Sequence, residues 1–249
     1  MASRDKGVAV SMDRLYRPLR KALAAFHHHP HDDEFRGLKI WTSGFGHNCH
    51  MLNVSGLACS RGERRLFADV GFSLAAGEWL HVQGENGSGK TSLMRLLVGL
   101  SPADAGKIFW RNEPTPSVEF RRDLIYLGHH AAVKEDLTPL ENLRLAAALD
   151  GVELDQRDAL AALIRLGLRG REELPVRVLS AGQKRRVLLA RLVTRPAILW
   201  VLDEAFNALD VAAVKLLGEL IAEHLSGGGM AVLTSHQPLP VPGGKALVL

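Results

Sequence analysis

The sequence lacks long apolar runs, so it does not encode an evident membrane span. Every apolar stretch is interrupted by Arg, Asp, Glu or Gly before it reaches the ~18 consecutive apolar residues that a transmembrane helix needs. Cysteine is scarce too, because Cys49 and Cys59 are the only two in 249 residues, and they do not make a disulfide framework. The first 26 residues lack the apolar core of a secretory signal. These absences predict a protein of the reducing cytoplasm.

An excess of charge of one sign is also missing over most of the chain. The formal net charge is +4, but residues 1–50 hold 8 of the 31 Lys and Arg and 5 of the 27 Asp and Glu, which leaves 23 against 22 for residues 51–249. A nucleic-acid-binding domain usually concentrates Lys and Arg on its folded part, so we expect no nucleic-acid partner. The hydrophobic content of 47% instead predicts a folded domain with a sizeable core.

Residues 1–50 show no sustained helix or strand periodicity, and we interpret them as a poorly ordered or non-native extension. They contain a histidine-rich run at 27–31, and His47, Cys49 and His50 follow it. Two interpretations stay open, a solvated tail and a segment that contacts haem or a transition metal through imidazole ligands. Histidine runs without a preformed scaffold bind metals unselectively, which favours the solvated tail.

Short apolar stretches and amphipathic stretches alternate from residue 52 onward. The apolar stretches are typical of buried parallel strands and lie at 79–82, 198–202 and Met230–Thr234. Leu and Ala at helical spacing predict helices over 93–100, 140–149, 155–166 and 187–193, with Gly167 and Gly170 as stops. We therefore predict an α/β domain over 51–249, whose core of 51–125 and 186–249 is interrupted by a helical subdomain at about 126–185.

The most specific local pattern is a phosphate loop. It fits G-x-x-x-x-G-K-[ST] and lies between a predicted strand and a predicted helix, as this pattern requires. The backbone N–H groups of such a loop surround phosphate oxygens at the N-terminus of the helix, the lysine pairs with the β- and γ-phosphates, and the threonine hydroxyl binds Mg²⁺. The residues assigned to it are Gly84, Glu85, Asn86, Gly87, Ser88, Gly89, Lys90, Thr91 and Ser92.

Acidic residues follow the predicted strand at 198–202. Asp203 and Glu204 stand at the carboxyl end of the strand, where open α/β sheets build their sites. Asp203 suits a Mg²⁺ ligand and Glu204 suits a general base that polarises the attacking water. A third predicted strand leads to His236 at the same edge of the sheet, and we interpret this histidine as a contact to the γ-phosphate.

A further segment, Leu-Ser-Ala-Gly-Gln at 179–183, resembles the signature sequence of ABC ATPases. The order of phosphate loop, helical segment, signature and acidic strand end also resembles that superfamily, in which 207–210 would be the D-loop. The resemblance implies a P-loop nucleotide-binding domain with an inserted helical subdomain and a small antiparallel β subdomain. It adds as nucleotide contacts His129, Ser180, Ala181, Gly182, Gln183 and Asp210.

The resemblance narrows to the haem exporter ATPases of bacterial cytochrome c maturation, the CcmA family. It is carried by Tyr-Leu-Gly-His at 126–129, Leu-Thr-Pro-Leu-Glu-Asn-Leu at 137–143, Ser-Ala-Gly-Gln-Lys-Arg-Arg at 180–186 and Leu-Thr-Ser-His-Gln-Pro at 233–238. It covers about 51–249. Other ABC roles, such as a different exporter or a lipoprotein-release system, stay open as alternatives, as does a haem- or metal-binding assembly factor regulated by nucleotide.

This resemblance implies an ATP hydrolase that uses ATP and Mg²⁺. Two copies would associate head to tail on ATP, each lending Ser180 and Gly182 to the nucleotide of the other. Integral membrane subunits of the cytochrome c maturation complex would be the further partners, gripped near 126–145. The protein would then lie peripherally on the cytoplasmic face of the bacterial inner membrane and drive haem export or release of a haem-loaded chaperone.

The sequence departs from the superfamily pattern at two positions. His129 stands where most ABC ATPases have a glutamine, which predicts weakened or pH-sensitive coupling to the membrane partner. The aromatic residue that usually stacks on adenine is missing near Arg61. Phe67 is close but is also a candidate core residue, and an arginine–adenine contact is the alternative.

Overall fold

Two sheets form the framework of the structure, a computed structural model that describes residues 51–129, 132–235 and 239–249. The predictions for residues 1–50 and for His236 lie outside these ranges. A four-stranded antiparallel sheet has the order β2-β1-β4-β5, from β1 (Leu52–Arg61), β2 (Arg64–Leu74), β4 (Ala105–Trp110) and β5 (Glu113–Pro114). A five-stranded parallel sheet has the order β6-β7-β8-β3-β9, from β3 (Trp79–Gln83), β6 (Leu124–Leu127), β7 (Leu199–Leu202), β8 (Met230–Thr234) and β9 (Lys245–Val248).

Helices cover the parallel sheet and fill the segment between β6 and β7. They are α1 (Lys90–Leu97), α2 (Val118–Asp123), α3 (Pro139–Leu149), α4 (Gln156–Arg165), α5 (Ala181–Thr194) and α6 (Val211–Ser226). A short 3₁₀ turn at Val176–Val178 precedes α5. Within the described residues, none of these helices combines the length and the apolar character that crossing a bilayer requires.

The central strands of the parallel sheet are buried along their whole length. All residues of β7 and β8 are buried, as expected for parallel strands that are covered on both faces. Their registers pair Leu202 with Leu233, and Val82 of β3 with Thr234. The carboxyl ends of β7, β8 and β3 therefore lie side by side at one edge of the sheet, as the three apolar stretches predicted.

The first core helix starts earlier and ends earlier than predicted. It runs over Lys90–Leu97 instead of 93–100. Gly89 precedes it with a φ of 109°, which lets the phosphate loop turn directly into the helix, and Gly99 with a φ of 73° prevents its continuation. The helix therefore begins on the lysine of the phosphate loop.

The signature helix α5 is longer than predicted, because it begins at Ala181 instead of 187. Ser180 and Gln183 form a capping box: the Gln183 N–H donates to Ser180 Oγ at 3.3 Å, and the Ser180 N–H donates to Gln183 Oε1 at 3.0 Å. This pair satisfies two N–H groups that the start of a helix leaves without partners, so the polar residues before the apolar run join the helix.

The segment between β6 and α5 is helical, with α3 and α4 packed against α5. Strand β6 continues to Leu127, two residues past the predicted end of this part of the core at 125, because it pairs with β7 in the core sheet. Helix α3 starts with a second capping box, formed by Thr138 and Glu141. Gly167, with a φ of 75°, follows the last residues of α4 as predicted.

Candidate nucleotide site

The phosphate loop connects β3 to α1 and is supported from below by the antiparallel sheet. A side chain at Gly89 would bring a Cβ to 3.0 Å from the ring of Phe67 of β2, so this position needs glycine for space as well as for its positive φ. Phe67 itself is buried. It is therefore a core residue beneath the loop and does not offer an exposed platform for adenine.

Lys90 is the first residue of α1, and its side chain folds back over the loop. Its Nζ donates to the carbonyls of Gly84 at 2.7 Å and Glu85 at 2.9 Å. The residue is only 7% exposed, and a buried ammonium group needs hydrogen-bond acceptors. The two carbonyls provide them inside the protein. Phosphate oxygens are charged acceptors and bind an ammonium more strongly than neutral carbonyls do, so the same group can serve a triphosphate.

Asp203, directly after β7, is completely buried. Its Oδ1 accepts a hydrogen bond from the Thr234 hydroxyl at 2.8 Å, whereas Oδ2 is buried with no hydrogen-bond partner among the described residues. An orphaned carboxylate oxygen is costly, and a cation removes that cost. The donor set thus fits a hard cation such as Mg²⁺, which is commonly held by one or two carboxylates together with substrate phosphates and waters.

Glu204 is next in the chain and has a φ of 52°, an uncommon conformation for a residue with a Cβ. Its N–H donates to Thr234 Oγ1 at 2.8 Å. Its carboxylate Oε2 accepts from Asn207 Nδ2 at 2.6 Å and lies 2.9 Å from His129 Nδ1. The side chain is 16% exposed, so the carboxylate is held in a defined orientation yet remains within reach of a water molecule.

His129 and Glu204 are therefore direct neighbours, which sequence reasoning did not predict. His129 follows β6, and its side chain is half exposed. His129 occupies the position at which the superfamily pattern has glutamine. Each of its two ring nitrogens can donate or accept one hydrogen bond. The expected effect of this histidine on coupling stays a prediction.

Arg185 of α5 is the residue of this site that sequence reasoning missed most clearly. It is 4% exposed, and its three guanidinium nitrogens donate to backbone carbonyls. The acceptors are Gly128 at 3.1 Å, His129 at 3.5 Å, Asp203 at 3.2 Å, Glu204 at 2.9 Å and Ala205 at 3.4 Å. Burial lowers the pKa of the Arg185 guanidinium, and the nearby carboxylates of Asp203 and Glu204 act in the opposite direction.

Thr234 is the second residue that sequence reasoning overlooked. Its hydroxyl accepts from the Glu204 N–H and donates to Asp203, so one side chain orders both acidic residues. A signal was available, because Thr234 ends an otherwise apolar strand next to the two strands that carry the predicted site. A hydroxyl at a buried strand end needs partners, and the nearest polar groups in that sheet are the acids.

The signature motif lies at the N-terminus of α5 with Ser180 and Ala181 exposed, and Gly182 and Gln183 partly exposed. A Cβ on Gly182 would come within 3.0 Å of the Ala208 carbonyl, so the helix start and the D-loop are in close contact. Arg186 reinforces this contact through a 2.7 Å bond to Asp210 Oδ1. Asp210 also caps α6, and both partners hold the pKa of its carboxyl below the ordinary value, first the Ala213 N–H and then Arg186.

The remaining predicted residues lie in the phosphate loop, in the first turn of α1, at the end of β1 or outside the described ranges. Glu85, Asn86 and Gly87 are exposed, whereas Thr91 and Ser92 in the first turn of α1 are partly buried. Arg61 is exposed at the end of β1, opposite Arg64 of β2, and the arginine–adenine alternative stays a prediction. His236 and the histidine-rich segment at 27–31 lie outside the described residues. Within the described ranges, no group of three or more His, Cys, Asp or Glu is arranged to hold a metal ion.

Comparison with known proteins agrees with this geometry. Residues 67–207 match the family model of ABC transporters. The chain is 56% identical over 196 residues to the cytochrome c biogenesis ATP-binding export protein CcmA of Dechloromonas aromatica, covering 78% of this chain and 96% of the relative. It is 47% identical over 197 residues to the protein of the same name from Escherichia coli O157:H7, covering 78% and 93%.

The fold has a solved counterpart in an ABC transporter ATP-binding protein from Pyrococcus furiosus. The TM-score is 0.71 at 22% identity, over 80% of this chain and 96% of the other. The predicted fold class is confirmed by this likeness, and the predicted family and ATP-hydrolase class are confirmed by the match to the ABC family model and by the relatives. The chain belongs to the ABC transporter family, whose ATP-binding subunits bind and hydrolyse ATP, and within it to the CcmA group.

Proposed function

We propose that the chain is the ATP-hydrolysing subunit of a membrane-associated ABC complex for cytochrome c biogenesis, and that the residues of the strand edge perform the hydrolysis. Lys90 pairs with the β- and γ-phosphates, and Glu204 is the general base that takes a proton from the attacking water. His236 contacts the γ-phosphate. The observation that carries the proposal is the Glu204 carboxylate, which Asn207 and His129 orient beside the buried Asp203.

Mg²⁺ belongs to the proposal through Asp203 and Thr91. The buried Oδ2 of Asp203 and the hydroxyl of Thr91 would hold the ion, directly or through water. When bound, the ion neutralises charge that develops on the phosphoryl oxygens. The Thr234 hydroxyl donates to Oδ1 of Asp203, which leaves Oδ2 as the oxygen that would bind the ion.

Two copies of the chain would complete each site. Ser180 and the first-turn N–H groups of α5 form an exposed helix N-terminus, which carries about half a positive charge and suits the γ-phosphate of a nucleotide bound to a second copy. The partly exposed Gly182 contributes its N–H to the same end. A single copy therefore lacks the signature-helix donors for its own nucleotide, and ATP would close a head-to-tail dimer.

The biological role and the membrane partner are inferred from the relatives. Proteins that the chain matches over most of their length are named cytochrome c biogenesis ATP-binding export proteins, which supports the same role here. The partner subunits would be integral membrane proteins of that system, and the chain would lie on the cytoplasmic face of the inner membrane. The segment at 126–145, which begins within the last residues of β6, is the proposed contact to them.

Substitution of Glu204 by glutamine tests the hydrolytic assignment. Glu204→Gln removes the base but keeps the size and the hydrogen-bonding capacity of the side chain, so ATP binding should persist, turnover should fall at least about 100-fold, and ATP should trap a dimer in size-exclusion chromatography. Glu219→Gln is the control, because Glu219 forms only a 3.9 Å surface pair with Lys215. Normal turnover in Glu204→Gln would exclude Glu204 as the base.

A complementation experiment tests the biological role separately. We expect the chain to restore haem-stained c-type cytochromes in a bacterium whose own CcmA has been deleted, and we expect Glu204→Gln not to restore them. If the wild-type chain hydrolyses ATP in vitro but restores no c-type cytochrome despite normal expression and membrane association, the cytochrome role is wrong and the ATPase assignment stands.

A further inference from the structure

The buried guanidinium of Arg185 connects the signature helix to the catalytic strand edge. Arg185 follows Ser180 by five residues on α5, so the exposed end of the helix and this buried side chain belong to one rigid element. The carbonyls that it contacts come from two other segments, the exit of β6 and the exit of β7. No other side chain in the described part of the chain donates to both exits.

The residues that directly follow β7 have a backbone conformation that needs support from other parts of the chain. Glu204 has the uncommon φ of 52°, and both of its backbone polar groups are bound by side chains: its N–H by Thr234 and its carbonyl by Arg185. A backbone in this region persists only when the surrounding structure holds it. Arg185 does so together with Thr234 and with the Asn207 N–H, which donates to the same Glu204 carbonyl at 3.1 Å.

The second arm of the guanidinium reaches the carbonyls of Gly128 and His129. The imidazole of His129 lies against the Glu204 carboxylate. One side chain of α5 therefore binds the backbone on both sides of the contact between His129 and Glu204. A displacement of α5 relative to the sheet edge would shift both residues together.

We infer that Arg185 is a positioning residue that ties the orientation of Glu204 to the signature helix. Engagement of Ser180 by the nucleotide of a second copy then acts, through α5 and Arg185, on the general base of the same subunit's own site. The two sites of the dimer are thereby coupled through the protein backbone. This inference rests on the proposed role of Glu204, and it assigns to Arg185 no contact with ATP.

Arg185→Lys and Arg185→Met test the inference by steady-state ATPase kinetics. Methionine removes all five hydrogen bonds, and lysine keeps the charge but replaces the planar fork with a single ammonium that cannot reach both exits. We expect kcat to fall about 10- to 100-fold in the lysine variant and further in the methionine variant, with KM for ATP within about threefold of wild type.

Arg191→Lys is the matched control. Arg191 lies on the same helix and pairs at 3.3 Å with Asp150, away from the strand edge. It should keep the wild-type kcat. An unchanged kcat in Arg185→Lys overturns the inference, and so does an equal loss in Arg191→Lys, which would indicate a general weakening of α5.

A second measurement separates positioning from a structural role. In the Glu204→Gln background, the added Arg185→Lys change should leave ATP-dependent dimerisation within about threefold of Glu204→Gln alone, because Arg185 acts on hydrolysis and not on nucleotide capture. Loss of the ATP-trapped dimer in the double variant overturns the inference. If Glu204→Gln alone hydrolyses ATP normally, the proposed function fails; if Glu204→Gln is inactive while Arg185→Lys keeps wild-type kcat, only the role of Arg185 fails.

Discussion

At the scale of single residues, the site depends on buried polar atoms that satisfy one another. Thr234 is the clearest case, because a single hydroxyl bonds to the side chain of Asp203 and to the backbone of Glu204. Neither acidic residue is ordered by its neighbours in sequence alone. The strand edge therefore works as one polar network in which each member limits the freedom of the next.

Thr234→Val tests this network at nearly constant volume. We expect the free energy of unfolding to fall by about 1–3 kcal/mol, because Asp203 and the Glu204 N–H lose a buried partner, and kcat to fall at least about 10-fold. Urea denaturation and ATPase assays measure the two effects. Thr194→Val is the control, since the buried Thr194 hydroxyl bonds only to the Ala190 carbonyl of its own helix. Equal effects of both substitutions would argue against the network.

At the scale of elements, α5 is packed so closely against the D-loop that its first turn needs glycine. Gly182 lies in a helix, where alanine normally stabilises the helix by about 1 kcal/mol relative to glycine. Its Cβ would however meet the Ala208 carbonyl at 3.0 Å, which is tighter than an ordinary contact. The conflict between helix propensity and packing makes this position a sensitive probe of the junction between α5 and the D-loop.

We expect Gly182→Ala to keep the helix content but to lower kcat at least about 10-fold and to weaken ATP-dependent dimerisation, because the helix must move away from the D-loop by a few tenths of an ångström. Circular dichroism and ATPase assays check this. Gly170→Ala is the control: its φ of 76° carries strain, but a Cβ there has no neighbour within 4 Å. A fully active Gly182→Ala would show that the close approach has no functional role.

At the scale of the whole molecule, His224 joins α6 to the parallel sheet. Its ring is completely buried, stacks on Trp200 with centroids 3.9 Å apart, and lies with Nε2 at 3.2 Å and 3.1 Å from the carbonyls of Ile198 and Met230. Nε2 donates, because both neighbours are acceptors. Burial lowers the pKa of His224 to about 4, with the two carbonyl hydrogen bonds acting in the opposite direction.

This lowered pKa predicts acid-sensitive stability. Between the ordinary histidine pKa of 6.5 and about 4, the unfolded chain binds a proton that the folded protein excludes, so the contribution of His224 is fully present above pH 6.5 and is lost as the pH falls towards 4. The loss amounts to about 3 kcal/mol. Urea denaturation at pH 5 and pH 7 should show a smaller pH effect in His224→Phe than in wild type. An equal pH effect in His224→Phe would contradict this assignment.

Local patterns sufficed for three strands of the parallel sheet, for four of the helices and for the contiguous motifs of the candidate site. Strands β3, β7 and β8 were predictable because a parallel strand buried on both faces is a short apolar run. The phosphate loop, the acidic strand end and the signature were predictable because each is a contiguous segment. Helix starts were less predictable. The capping box of Ser180 and Gln183 decides where α5 begins, but these polar residues lie before the apolar residues whose spacing predicted the helix.

The sequence by itself determined which family the chain belongs to and which segments are candidates for the nucleotide site, since both are written in short stretches of neighbouring residues. Only the tertiary structure decided how those residues are held: that Arg185 binds carbonyls 18 to 57 positions away, and that His129 touches Glu204. The physical reason is that a buried polar group is satisfied by whatever donor or acceptor the fold brings within about 3 Å, and sequence spacing does not record that choice.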